Sequence, residues 1–134
     1  MTSVEEHKKT LKELETDILE KMRLHIVHER QRIIGFAASE AATNCFAILL
    51  HNKNLISAGF NVNHKWFASV ERAKSTFSFD FPHKKELMEL LVKEENLRDR
   101  LCYGRSKSPS EAEEAIKIFF KIKKIVSDET GEDL

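Results

Sequence analysis

A chain of 134 residues with only four glycines and two prolines offers few places where a helix can be interrupted. These two residues supply the left-handed turns and fixed φ angles that end regular structure. The pattern between the interruptions is helical. Ser3 followed three residues later by Glu6 is a capping box that opens a first helix. Val4, Leu11, Leu14, Ile18, Met22 and Ile26 then recur at helical spacing and predict one apolar stripe. The charged stretch HERQR at 28–32 is either a turn or a solvated continuation, and no glycine or proline decides between them.

A second helix is predicted over residues 32–56, RIIGFAASEAATNCFAILLHNKNLI. It is apolar around much of its circumference and rich in small residues, which permit close helix–helix approach, so it reads as the central helix. SAGFNVNH breaks the pattern, and a short helix, KWFASVERAKSTF, follows over 65–77. SFDFP is the next interruption, with Pro82 placed for a first helical turn. A fourth helix over 83–103 turns Leu87, Leu90, Leu91, Leu97 and Leu101 inward and stops at Gly104. Ser108, Pro109 and Glu111 predict the N-cap, first position and capping-box acid of a fifth helix. Its buried face is Ala112, Ala115, Ile116, Phe119, Phe120, Ile122 and Val126. Residues 127–134, SDETGEDL, read as a polar, frayed tail. The expectation is an all-α, up-and-down bundle of about five helices, one domain over 1–126 followed by that tail.

Composition removes several function classes. Lys+Arg and Asp+Glu are both 22, so a non-specific phosphate-binding surface has no support in net charge, and any nucleic-acid role must rest on a local patch. Cys45 and Cys102 sit among apolar neighbours and read as small buried hydrophobes of a reducing compartment. No CxxC pair suggests zinc. The start of the chain is too charged for a signal peptide, and the apolar stretch around 33–50 contains Gly, Ser, Glu and Asn, so neither secretion nor a membrane span is expected. The expected location is cytoplasmic. No Gly-rich phosphate loop, Ser-His-Asp order or paired-carboxylate motif stands out, and no metal or cofactor is expected.

The stretch LRDRLCYGR, residues 97–105, gathers Arg98, Asp99, Arg100, Tyr103 and Arg105 where the fourth helix ends. Cations there favour the negative end of the helix dipole, and that role needs no ligand. The same groups can also receive one: an arginine fork suits phosphate, and a tyrosine ring can stack on a base. Together with the start of the last helix, RDRLCYGRSKSPSEAEEAIKIFF resembles the HEPN domains (higher eukaryote and prokaryote nucleotide-binding). The small-residue helix GFAASEAATNCFAILL and the following NVNHKW are similar to that family's central helix and the loop after it. The resemblance spans roughly 33–126.

The resemblance implies a small helical bundle that works as a homodimer. It puts Arg98 at the motif arginine, Asp99 at the polar position beside it, and Tyr103 where ribonuclease members carry histidine. Histidine titrates near neutral pH, whereas tyrosine, with a pKa near 10, is a poor general base there. A tyrosine followed by glycine also resembles members that accompany minimal nucleotidyltransferases. The implied function is therefore a non-catalytic module that binds a nucleotide or RNA end, or partners a minimal nucleotidyltransferase, a toxin–antitoxin pair being one such setting. Arg98 and Arg105 would contact phosphate, Asp99 would orient an arginine, and Tyr103 would stack or hydrogen-bond. Two alternatives stay open. One is a metal-independent ribonuclease in which Tyr103 replaces the histidine or another histidine enters from a neighbouring helix. The other is a dimerisation or interaction protein without a ligand.

Secondary candidates are Glu40, His64 and Trp66. Glu40 interrupts an apolar helix and is either outward-facing or paired in a groove, while Ser39 serves close packing. Trp66 at a helix start reads first as a packing anchor. His25 and His28 make an incomplete ligand set and read as a surface or interface pair. Phe77, Phe79 and Phe81 alternate and read as a cover over one end of the core, with an exposed patch as the alternative.

Overall fold

The structure, a computed structural model, describes residues 3–134. Five α-helices follow one another: α1 (Val4–Arg23), α2 (Gln31–Asn52), α3 (Val70–Thr76), α4 (Lys84–Cys102) and α5 (Pro109–Thr130). A single 3-10 turn, His64–Phe67, precedes α3, and no strand occurs among the described residues. The protein is an all-α bundle. α2 is its axis, because α1, α4 and α5 all pack against it. Every residue of α2 from 41 to 50 is buried. This helix is long and apolar enough to cross a membrane, with mean hydropathy 1.6 over its most apolar window, and 83% of that window is buried inside the bundle.

The chain signals act where they were expected at several ends. Ser3 Oγ accepts the Glu6 N–H at 3.2 Å and caps α1. Gly104 follows the end of α4 at φ 75°, a conformation that costs glycine little. Pro109 opens α5. At Ser108, however, the hydroxyl caps nothing; it meets Ser110 Oγ at 2.9 Å, while the Glu111 carboxylate turns to Arg100.

The other boundaries shift for local reasons. α1 stops at Arg23, and His25 enters the left-handed region at φ 57°. HERQR is thus divided, its first three residues in the turn and its last two in α2. Ile26 leaves the helical stripe, and Met22 is 40% exposed. α2 ends four residues short of Ile56, because Asn54 is left-handed at φ 57°. The predicted 65–77 helix breaks at Ser69, whose hydroxyl caps α3 by accepting the Arg72 N–H at 3.1 Å. α5 runs on to Thr130 and ends at left-handed Gly131. The segment after Val126 is also tied down: Lys8 donates to Glu132 at 2.7 Å, and His83 meets Glu129 at 2.8 Å.

The core is one cluster. Phe46 of α2 sits edge-on to Phe77 at 5.1 Å and to Phe67 at 5.8 Å, and Phe67 stacks on Phe77 at 5.7 Å. Phe81 is buried and Phe79 packs half-buried beside it, so the alternating phenylalanines cover one end of the core. α4 approaches α2 closely at Gly35, where a β-carbon would lie 2.7 Å from Leu101 Cβ. Backbone-proximal Cβ atoms cannot swing aside, so the spacing of α2 and α4 depends on that missing atom. Gly35→Ala is expected to destabilise the fold by about 1–3 kcal/mol despite alanine's better helix propensity. Thermal unfolding followed by circular dichroism measures this; a raised melting temperature would show that the spacing does not depend on Gly35.

Candidate functional site

Glu95, Arg98 and Cys102 succeed one another on α4 at helical spacing and face α2. Arg98 Nη1 donates to Glu40 Oε1 at 2.7 Å and reaches Ser39 Oγ at 3.4 Å. Its guanidinium lies 5.0 Å from the centroid of the Phe36 ring, a cation–π contact. The Arg98 side chain is 14% exposed and that of Glu40 29%. Glu40 is therefore the paired residue in the groove rather than an outward-facing one. Only Nη1 of the guanidinium is engaged; Nε and Nη2 have no hydrogen bond among the described residues.

One turn back along α4, the buried Glu95 carboxylate receives His64 Nδ1 at 2.7 Å. Burial pushes the Glu95 carboxyl above its ordinary value, and the His64 hydrogen bond and the charge of Arg98 oppose that shift. Glu95 thus pairs with His64 and feels the charge of Arg98 without bonding to it. Trp66, two residues beyond His64, goes elsewhere: it packs between Phe60 at 5.8 Å and Phe77 at 5.9 Å. It is an anchor of the core.

The end of α4 forms a second, exposed part of the surface. Asp99 is exposed and makes no ion pair among the described residues, so the role of orienting an arginine is not seen in this conformation. Adjacent helical residues point about 100° apart, and Asp99 faces neither Arg98 nor Arg100. Glu40 orients Arg98 instead, and Glu111 takes Arg100. Tyr103 is 70% exposed, and Arg105 is exposed with its guanidinium unpaired among the described residues. Neither is hydrogen-bonded to Arg98.

Arg32 joins the two parts. Its Nη2 donates to the Gly104 carbonyl at 2.9 Å, and its own carbonyl accepts from Cys102 Sγ at 3.4 Å. Gln31 Oε1 accepts the Lys107 N–H at 2.7 Å. The first turn of α2 therefore fixes the turn that carries Tyr103 and Arg105. Burial pushes the Cys102 thiol upward against the pull of Arg98, so it is no activated nucleophile.

Sequence reasoning missed Glu95, Arg32 and Phe36. Glu95 sits in KEEN, which reads as a solvated run; only its position three residues before Arg98 hints at a shared face. It also missed a buried pair between α1 and α2. His7 Nδ1 lies 2.7 Å from Asn44 Oδ1, and Asn44 Nδ2 donates to the Glu40 carbonyl at 2.7 Å. With the amide nitrogen so placed, Oδ1 accepts, so His7 carries its proton on Nδ1. The His51 ring centroid is 5.6 Å from that of His7. No group of three or more metal-ligating side chains is assembled among the described residues.

Comparison with family profiles, with curated proteins and with solved structures finds no match to this chain.

A second buried acid lies beside Glu95, toward α5. Glu94 is 2% exposed, and neither carboxylate oxygen has a hydrogen-bond partner. Burial first, and the nearby Glu114 charge second, hold its carboxyl well above the ordinary range. The folded chain thus keeps this proton to higher pH than the unfolded chain, whose glutamates titrate near 4.3. Stability contributed here falls as pH rises between the unfolded and the folded values. Glu94→Leu is expected to stabilise the protein by about 1–3 kcal/mol, the usual cost of a buried polar group without a partner. The advantage should widen between pH 4 and pH 8 in denaturant titrations; a gap independent of pH would mean that Glu94 titrates alike in both states.

Proposed function

We propose that this chain is a HEPN-like, non-catalytic module that binds a nucleotide or RNA end, alone or as the partner of a minimal nucleotidyltransferase. The observation that carries the reading is the state of Arg98. Its planar fork is held by Glu40 and by the Phe36 ring, yet Nε and Nη2 keep their hydrogens for another acceptor. A guanidinium fixed in this way loses little conformational freedom on meeting a phosphate. Arg32 and Arg105 add charge nearby without a carboxylate partner among the described residues, and Tyr103 presents its ring to solvent. The helix order, the position of Arg98 opposite α2 and the Ser-Pro opening of α5 further support the resemblance. The neighbouring carboxylates Glu40, Glu95 and Asp99 disfavour an anion that approaches Arg98 from their side.

A second reading, a metal-independent ribonuclease, is favoured by one specific contact. His64 Nδ1 on the Glu95 carboxylate orients the imidazole as acid–base histidines are oriented, and leaves Nε2 available. In that reading His64 replaces the histidine that Tyr103 displaces.

Both readings meet in one experiment, a titration of the purified protein with ATP and with short single-stranded RNA, the RNA then being checked for cleavage. Arg98→Ala is expected to weaken binding about ten- to a hundredfold, the worth of hydrogen bonds to a charged group, with the RNA intact throughout. Cleavage that survives chelators and disappears in His64→Gln would replace the module reading by the enzyme. Neither binding nor cleavage would leave Arg98 as a structural ion pair and the protein as an interaction module without a ligand.

A further inference from the structure

The turn from α1 to α2 stands off from α5 and leaves a cleft of about 510 Å³ between them. Small-molecule sites commonly enclose about 300–1,000 Å³, with an apolar base and a few polar groups around it. This cleft is built that way. Met22 of α1, Val27 of the turn and Ile116 of α5 give it apolar surface. Met22 is 40% exposed, and its flexible thioether adapts to irregular partners.

The polar groups are unspent. His25, His28 and Glu29 line the cleft from the turn, and Glu113 and Lys117 line it from α5. Among the described residues none of these five side chains makes a hydrogen bond or an ion pair. Elsewhere on α5 the charges are matched: Glu111 pairs with Arg100, Lys123 with Glu15 and Lys124 with Asp128. Glu113 and Lys117 have the one-turn spacing that favours an ion pair, yet they stay apart. His28 Nδ1 is buried with no partner at all, a state that buried polar groups rarely keep.

The wall that carries the histidines is preorganised. His25 is left-handed at φ 57°, a conformation that glycine adopts at less cost. The chain holds it there through the His25 N–H on the Met22 carbonyl at 3.1 Å and the Ile26 N–H on the Lys21 carbonyl at 3.0 Å. At the other end of the turn, Gln31 Nε2 donates to the His28 carbonyl at 3.2 Å. A ligand that enters therefore has little chain to order.

Charge decides what kind of ligand fits. With the imidazoles neutral, two carboxylates outweigh one ammonium, and the carboxylates come from opposite walls, Glu29 from the turn and Glu113 from α5. A ligand that satisfies both and covers the apolar base joins a cation to an apolar body. An anion would gain Lys117 alone and would face both acids.

We infer that this cleft binds a small organic ammonium ion with an apolar or aromatic body, its charge toward Glu29 and Glu113 and its body against Met22, Val27 and Ile116. The cleft shares no residue with the Arg98 site, so it stands or falls separately from the phosphate-binding reading.

Calorimetric titration of the full chain with tryptamine tests it, beside indole-3-propionate, which puts an anion on the same ring. Circular dichroism confirms that each variant is folded. Tryptamine is expected to saturate a single site with Kd below about 1 mM, more weakly as salt is raised. Amide resonance shifts on its addition should centre on Met22, Val27 and Ile116. Glu29→Gln and Glu113→Gln should each weaken binding about tenfold, the worth of a hydrogen bond to a charged group. Indole-3-propionate should bind at least about tenfold more weakly than tryptamine. No saturable binding of tryptamine, equal binding of the acid, or an affinity indifferent to both glutamate variants would each overturn the inference.

Discussion

A helix that is apolar around most of its circumference has to be enclosed, and enclosing α2 dictates most of this fold. From residue 41 to residue 50 every residue of α2 is buried, so α1, α4 and α5 must each present a stripe to it. Small residues let them approach; at Gly35 the backbone of α2 and the side chain of Leu101 occupy space that a β-carbon would deny. Chain order follows from the same requirement. Two short turns suffice to bring α1 and α5 alongside α2, whereas the long connection from α2 to α4 folds its phenylalanines over the exposed end of the core.

The first half of α2 is different, and this is where polar chemistry collects. Here the helix is covered on only part of its surface, leaving Ile33 and Phe36 half in solvent and Glu40 at the margin. A carboxylate at such a margin needs a cation, and Arg98 of α4 supplies it at a depth where water still reaches the outer edge of the fork. Partial burial strengthens the pair relative to a surface ion pair, while avoiding the full desolvation that makes deeply buried pairs costly. The Lys123–Glu15 pair, at 2.6 Å and also partly buried, ties α5 to α1 in the same manner.

What the amino-acid sequence made legible was periodic or punctuated. The apolar helix, the Ser3 cap, the turn at Gly104 and the start at Pro109 all depend on nearest neighbours, and they stand as read. What escaped depends on partners distant in the chain. Asp99 was expected to steer an arginine because it lies beside two of them, but sequence adjacency on a helix is angular separation. Glu40 and Arg98, 58 residues apart, meet only once α4 lies across α2. The segment after Val126 is polar and would fray in isolation; Lys8 of α1, Lys53 just after α2 and His83 just before α4 hold it. Glu94 and Glu95 look like one solvated run; only the leucine spacing around 94 and the distance of 95 from Arg98 hint that they turn inward.

Those two adjacent glutamates show how α4 divides the molecule. Glu95 faces α2 and finds His64; Glu94 faces α5 and finds only Glu114. One carboxylate is therefore hydrogen-bonded to His64 within reach of the Arg98 charge, and the other has no hydrogen-bond partner among the described residues. A helix that needs an acid on one side has no requirement for one on the next residue, which points roughly 100° away. Packing alone would place a leucine at 94, in line with Leu87, Leu90, Leu97 and Leu101. The stability lost at Glu94 therefore cannot be charged to the His64–Glu95 hydrogen bond; whatever keeps an acid there acts through the α4–α5 contact, where Glu114 is its charged neighbour.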